Sequence, residues 1–452
     1  MSSDPTFPHH YFSDGSLVSL SLVRSDGEKG FLSPRNNPNT EATPGLVLRG
    51  DCNEWESFRL SCRDGGAVTL QHCGGRGFLS PVNNAEGDNW TFRDHAPDGG
   101  WEHLVLYPSS WERGLPVLFA VGCNVGGERV FLGGKSIGTE ERVVVGRAGD
   151  PSAAPQWRIS LFGVPLLNLN AFGGLKQLSL LCTSATVADG PPGSDVFVRL
   201  LLRAMTEAGS FYLIGANAPG AELFAMLQAG VGLVPWRNDA ASGDQDRKTN
   251  TMLMQHIDGA PGGTATLGPN VGKLPPPIWN QLVFAAFQDA SSLCDVLLHA
   301  LALAQSLAFP GASVPAWRGA WSDGNAFRAL RVLVYHPGPL QDAGGKALVT
   351  TARHTDATWL TLLREDDVGG LRLRPPALGK WVWARPPVAG AVLVNAGNVL
   401  AIATRGADGV SLFGAVCHQV QRVSETATRV SMPFFYDRKH GASFHGGGTG
   451  GC

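Results

Sequence analysis

The segment Gly30-Phe31-Leu32-Ser33-Pro34 with Asn36-Asn37 returns almost unchanged as Gly77-Phe78-Leu79-Ser80-Pro81 with Asn83-Asn84, and a weaker third copy stands at Val130-Phe131-Leu132-Gly133-Gly134. The phenylalanines are 47 and 53 residues apart. A second marker keeps the same phase: Trp55-Glu56-Ser57-Phe58, Trp101-Glu102-His103-Leu104 and Trp157-Arg158-Ile159, with the tryptophans 46 and 56 residues apart. Self-similarity at such a period means copies of one small unit, none of which can bury its apolar face alone. Three copies are too few for a long solenoid and suit a closed threefold object. Within a copy, short alternating stretches such as Ala67–His72 stop at Gly, Asn, Asp or Pro, which reads as strands and turns. Apolar residues recurring at a structural period face inward, so the repeated Phe and Trp are expected in a barrel core.

Repeats of this length with four short strands each resemble the β-trefoil in its fascin-like, actin-crosslinking branch, over roughly residues 15 to 160. The resemblance implies repeats at about 15–63, 64–112 and 113–161 within a first domain of residues 1–162. Trefoils of this branch bind actin or glycans, so such a contact is what the resemblance implies for a partner.

A chain of 452 residues exceeds one ordinary core, and two domains are expected. Charged residues make up only 16%, while 58 Gly and 30 Pro favour turn-rich β architecture. A net charge of −2 leaves no electrostatic footprint for a nucleic-acid backbone or an anionic membrane. Residues 1–19 show no basic segment followed by an apolar run, so no secretory signal is expected. The apolar helical stretch from Leu282 to Phe309 is interrupted by Gln288, Asp289, Asp295, His299 and Gln305, and reads as a core helix and not a membrane span. The eight cysteines show no CxxC pair or regular framework, and are expected as reduced thiols in a cytoplasmic protein. The Gly/His-rich residues 439–452, with His440 and His445, read as a flexible tail.

From Gly163 the pattern changes. Val164–Leu169 reads as a short buried strand, Asp195–Ala208 as an amphipathic helix and Gly209–Ile214 as a strand; Pro275-Pro276-Pro277 opens the long helix, and strands dominate from Pro310 to Phe435. This stretch carries His354-Thr355-Asp356 and, 62 residues beyond Asp356, His418. Two histidines and one carboxylate form the ligand set that holds a non-haem Fe(II) on one face and leaves the other open. Two apart on a strand, His354 and Asp356 would share a face, and His418 is far enough along to return on another strand of the same barrel. Arg429 and Ser431 are likewise two apart. An arginine fork with a serine hydroxyl beside it can grip a carboxylate.

The order VPLLNL, EAGSFYLIGANAP, LRVLVYHP, HTDATWLTLLREDDVGGLRLR and RVSMPFF resembles the isopenicillin N synthase-like group of Fe(II)/2-oxoglutarate oxygenases over about residues 163–437. The resemblance implies a second domain (163–438) built as a double-stranded β-helix, or jelly roll, with flanking helices. It implies His354, Asp356 and His418 as catalytic iron ligands, and Arg429 and Ser431 as the grip on the distal carboxylate of 2-oxoglutarate. O2 would be the oxidant, ascorbate an admissible reductant, and a small organic molecule the substrate of hydroxylation, desaturation or cyclisation. The family often has tyrosine before the proline of the strand leading into the barrel. Here His336 stands there with Tyr335 before it, and either could contact 2-oxoglutarate. Asn398 replaces a frequent aspartate of a Gly-Asp turn, and Arg422-Val423-Ser424 is assigned to an exposed connection. Arg247 and Lys248 fall where family members contact substrate. Two alternatives remain: an oxidase of the isopenicillin N synthase type that needs no 2-oxoglutarate, and a trefoil-based actin- or glycan-binding protein with an accessory oxygenase fold.

Overall fold

In the computed structural model of the chain, the structure describes residues 12, 16–23, 29–34, 46–49, 57–63, 67–73, 78–82, 89–93, 103–112, 115–125, 128–137, 140–147, 151–215, 220–229, 248–257, 266–267, 277–309, 315–321 and 326–438. Trp55, Trp101, Arg247 and the tail from residue 439 lie outside these, as does the side chain of Lys248. The chain divides into two compact units: residues 1–165 with 307–310, and residues 166–306 with 311–452.

The first unit is a twelve-stranded antiparallel assembly. Its strands are β1 (Ser16–Val23), β2 (Lys29–Pro34), β3 (Leu46–Arg49), β4 (Ser57–Cys62), β5 (Ala67–His72), β6 (Phe78–Val82), β7 (Asn89–Arg93), β8 (Leu104–Glu112), β9 (Leu115–Val125), β10 (Glu128–Ile137), β11 (Glu140–Arg147) and β12 (Trp157–Leu161). Six of them close a ring, because β1 pairs β4, β4 pairs β5, β5 pairs β8, β8 pairs β9, β9 pairs β12 and β12 returns to β1. The other six form three two-stranded ribbons, β2–β3, β6–β7 and β10–β11, with β11 touching both β3 and β7. Closure removes the open edges that a sheet of this size would expose.

Trp157 is fully buried and its indole N–H donates to the Leu132 carbonyl at 2.8 Å, so the large ring is buried with its polar group satisfied. Phe131 packs edge-on against Tyr107 and lies in a cluster with Ala120 and Ala154. The expectation that each repeated phenylalanine is core fails for two copies. Phe31 and Phe78 are half-buried, while the next residue, Leu32 or Leu79, is fully buried, as is Leu132. Successive side chains of a strand point to opposite faces, and in these ribbons the leucine takes the inner one.

In the second unit, β13 (Leu166–Asn168) and β14 (Ser210–Ile214) join β15 (Lys248–Ile257), β16 (Thr266–Leu267), β17 (Ala326–Tyr335), β19 (Leu360–Glu365), β22 (Val392–Ala396) and β24 (Arg429–Arg438) in an eight-stranded sheet of order β13-β14-β22-β19-β24-β17-β15-β16. The remaining strands, β18 (Val349–His354), β20 (Leu371–Arg374), β21 (Val382–Trp383) and β23 (Cys417–Gln421), form a four-stranded sheet of order β18-β23-β20-β21. From β17 to β24 the chain passes repeatedly from one sheet to the other, which is how a jelly roll winds.

The helices are α1 (Gly174–Leu178), α2 (Ser194–Glu207), α3 (Ala221–Gln228), α4 (Pro277–Ala308) and α5 (Asn398–Ala403). Helix α4 is long and apolar enough to cross a membrane by composition, but 67% of its apolar window is buried inside the protein, the mark of a core helix. Phe287 of α4 meets Phe434 edge-on at 5.3 Å, and Arg364 lies over the Phe224 ring of α3. The even-numbered residues of β19 and β24 therefore face helices, and the odd-numbered ones face away from them. Near α4, Trp317, Trp321 and Trp359 stack with centroids 5.6–6.2 Å apart. Burial of such rings contributes on the order of 2–3 kcal/mol each.

Candidate active site

The face of the large sheet away from the helices carries Tyr212, Tyr335, Glu365, Arg429 and Ser431. The register places Tyr335 opposite Arg429 and Glu365 opposite Ser431. The Tyr335 hydroxyl lies 3.4 Å from the Thr351 hydroxyl of β18, so this face looks towards the small sheet. There His354 ends β18 and pairs directly with His418 of β23.

His354, Asp356 and His418 bring one ligand atom each to within 4.8 Å of one another. One Asp356 carboxylate oxygen is 3.7 Å from Nε2 of both histidines, and the two imidazoles lie 4.2 Å apart between centroids. These spans are too long for hydrogen bonds, so three donor atoms converge on one point without satisfying one another. His354 Nδ1 lies 2.8 Å from the Ala352 carbonyl and His418 Nδ1 lies 3.2 Å from that of Val416. With each Nδ1–H donating to backbone, each Nε2 keeps its lone pair turned to the common point, the way protein scaffolds orient metal-binding imidazoles. Burial, with His354 nearby, holds His418 below the ordinary imidazole range against the pull of Asp356. A neutral ring is what a metal requires. Among the described residues this is the one group of three or more His, Cys, Asp or Glu side chains so arranged. Two imidazoles and a carboxylate suit Fe(II).

Asp356 does not share a strand with His354, contrary to the expectation from their spacing: β18 stops at His354, and Asp356 sits on the turn that leads to β19. That turn is held from outside. The Asn398 backbone amide donates to the Asp356 carbonyl at 2.7 Å, and Gly397 passes so close that a Cβ there would clash with the Thr358 carbonyl. The bond comes from the backbone amide of the residue that opens α5, so it does not depend on the asparagine side chain that stands at position 398.

Arg429 is buried, and its guanidinium lies over the Tyr335 ring at 4.8 Å, with Nη1 3.3 Å from the Ser431 hydroxyl. Of the two candidates beside the proline, Tyr335 is the one packed on Arg429; His336 is half-buried just beyond the end of β17. Sequence reasoning missed two members of the cluster. Glu365, whose side chain is fully buried, accepts from Arg429 Nη2 at 2.8 Å, and the Tyr212 hydroxyl donates to its other oxygen at 2.9 Å. Burial pushes the Glu365 carboxyl up, against the pull of Arg429 and Tyr212. The signal available was Glu365-Asp366-Asp367 at the end of a strand, where alternation turns one acid inward.

Two further expectations change. Cys417 is disulfide-bonded and not a reduced thiol, its partner lying outside the described residues, whereas Cys62, Cys73, Cys123, Cys182 and Cys294 are thiols. Arg422 is half-buried and not exposed, because its side chain reaches the Pro339 carbonyl at 3.3 Å.

Two histidines and a carboxylate converging at the end of the small sheet of a jelly roll make a candidate metal centre. Within it, residues 327–438 match the 2OG-Fe(II) oxygenase superfamily. Feruloyl CoA ortho-hydroxylase 1 of Arabidopsis thaliana is 37% identical over 91 residues, which are 20% of this chain and 23% of that protein. A 2-oxoglutarate-Fe(II) type oxidoreductase of Aspergillus fumigatus is 37% identical over 111 residues, 25% of this chain and 30% of that protein. The matched stretch thus spans less than a third of the length of these two relatives. Among solved structures, the dioxygenase for auxin oxidation in rice aligns with 60% of this chain and 82% of its own, at 22% identity and a TM-score of 0.39.

Proposed function

We propose that the chain is a non-haem Fe(II)- and 2-oxoglutarate-dependent oxygenase that oxidises a small organic molecule. The observation that carries this is the convergence of His354, Asp356 and His418 on one point, with both Nδ1 atoms bonded to backbone. These three side chains would hold the iron, which with 2-oxoglutarate as electron donor would activate O2, the oxidant. The chain's part is to orient. Backbone carbonyls set the imidazole tautomers, the Asn398 amide fixes the Asp356 turn, and Arg429 with Ser431 offers donors for a distal carboxylate on the sheet face opposite. Tyr335 supports the guanidinium from beneath. The matching relatives, among them a hydroxylase of feruloyl CoA and a 2-oxoglutarate-Fe(II) oxidoreductase, support a small organic substrate.

The test is aerobic turnover with Fe(II), 2-oxoglutarate and a panel of small acceptors, reading succinate release. Succinate that depends on O2 and disappears in Asp356→Ala supports the proposal, and equal release by that variant overturns it. An oxidase that needs no 2-oxoglutarate is favoured by one observation, that Arg429 already has an internal carboxylate partner. It would consume O2 without forming succinate.

For the first unit we propose the β-trefoil as a domain of its own, supported by the six-stranded ring and three ribbons. Actin or glycan contact through it would appear as co-sedimentation or glycan-array binding by the full chain.

A further inference from the structure

Glu365 is an acid where the proposed reading needs a vacancy of charge. The guanidinium of Arg429 is buried, and its positive charge is already balanced by the Glu365 carboxylate at 2.8 Å. Both oxygens of Glu365 are engaged as well: Arg429 Nη2 serves one and the Tyr212 hydroxyl the other. Arg429 still has donors to offer a ligand, since Nε has no partner and Nη1 has only the 3.3 Å contact with Ser431. A second carboxylate arriving there finds donors but no uncompensated charge. Two carboxylates sharing one buried cation do not both remain ionised. The groups facing Glu365 are Tyr212 from β14, Arg429 from β24 and, beyond it on β17, Tyr335; Asp366 follows just past the end of β19. None is a second cation that could neutralise the added charge. Burial has already moved Glu365 towards its neutral form, which identifies it as the acceptor. The Asp366 carboxylate is occupied with the amides of Val430 and Val368.

We propose that Glu365 makes co-substrate binding proton-coupled: the distal carboxylate of 2-oxoglutarate takes over Arg429 and Ser431 as Glu365 takes up one proton from solvent. One O–H bond forms, on Glu365, with a proton released by solvent or buffer; that proton offsets the negative charge that the incoming carboxylate brings to Arg429. Neutral Glu365 keeps an oxygen for the Tyr212 hydroxyl and no longer competes for Arg429. The chain would thereby bind 2-oxoglutarate more tightly as pH falls. This inference rests on the oxygenase reading.

The test is anaerobic titration of the Fe(II)-saturated full chain with 2-oxoglutarate, following the metal-to-ligand charge-transfer band between about pH 6.5 and about pH 8.5. In the wild type Kd should rise about tenfold per pH unit once Glu365 is ionised in the free protein, and calorimetry in two buffers of different ionisation enthalpy should count about one proton taken up. Glu365→Gln, which keeps the shape and removes the charge, should bind tighter at the alkaline end and lose the slope. A band in Glu365→Gln alone also supports the proposal. A band in both proteins with the same Kd at every pH, or wild-type binding without proton uptake, overturns it and leaves the oxygenase reading standing. The proton count decides by itself if Glu365→Gln does not fold. No band in either protein at any pH overturns the oxygenase reading and this proposal with it.

Discussion

The ion pair between Arg429 and Glu365 should behave as a coupled unit in stability as well as in binding. Their side chains are 5% and 0% exposed, so solvent screening is small and the buried-pair regime applies. Replacing Arg429 by Met leaves Glu365 and the Tyr212 hydroxyl facing each other without a cation, a loss of about 3–5 kcal/mol. Replacing Glu365 by Leu strands the guanidinium at a similar cost. The double replacement removes both charges and strands only the Tyr212 hydroxyl, which costs about 1–3 kcal/mol. The cycle should therefore show the second substitution restoring stability, with a coupling of at least about 3 kcal/mol. For a unit of roughly 280 residues, at about 2.1 cal/mol/K of unfolding entropy per residue, each single variant should melt about 5–8 °C lower than wild type.

Arg429→Met adds a pH signature. Without Arg429 the carboxyl of Glu365 rises further, so the folded state holds a proton that the unfolded state has released. Stability then falls as pH rises from the ordinary glutamate range upward. Calorimetry of the second unit's transition across pH reads both effects. Additive single costs, or an Arg429→Met penalty independent of pH, would refute the claim that Glu365 is the charged partner.

Fe(II) at about a hundred times its Kd should stabilise the wild type by about 2.7 kcal/mol, and Asp356→Ala should lose both this stabilisation and bound iron by elemental analysis. Gly397→Ala forces a methyl group against the Thr358 carbonyl beside the Asp356 turn. We expect a loss of about 1–3 kcal/mol and iron affinity weakened about tenfold or more, read by unfolding and metal competition. His299 is held down to about 4 by burial and by Arg318, and its ring abuts Trp321. The unfolded chain binds a proton there below about 6.5 and the folded one does not, so stability should drain away as pH falls from about 6.5 to about 4. His299→Gln should flatten that limb of the pH–stability curve, and an unchanged limb would exclude His299 as its source.

The candidate metal ligands were legible because residue type and spacing both survive in one dimension. His354 and His418 meet by strand pairing, and alternation predicts such meetings. The route of Asp356 was not legible, since the segment that carries it is bonded by the Asn398 backbone amide and closely approached by Gly397, some forty residues away in sequence. The repeat announced a symmetric first unit, yet the inward residue of two ribbons is the leucine and not the conspicuous phenylalanine. Sequence identity marks a repeated position without telling which face of a strand it takes. Glu365 escaped for a related reason. Its significance lies in partners on β14 and β24, which only the sheet order brings alongside.

The two halves of the site are held by different means, and this bears on how each can change. The metal half is fixed largely by backbone: the carbonyls of Ala352 and Val416 hold the imidazoles, and the Asn398 amide holds the Asp356 turn. A substitution that preserves the backbone path preserves those bonds, whatever side chain it introduces. The clamp half is fixed by side chains alone. Tyr212, Tyr335, Glu365 and Ser431 each touch Arg429 or its partner, in a buried setting where an unpaired polar group is costly. A single change there disturbs several bonds at once. Changing which acidic ligand the proposed clamp accepts would therefore act first through Glu365 and Tyr212, which set the charge at Arg429, while the candidate metal ligands stayed in place.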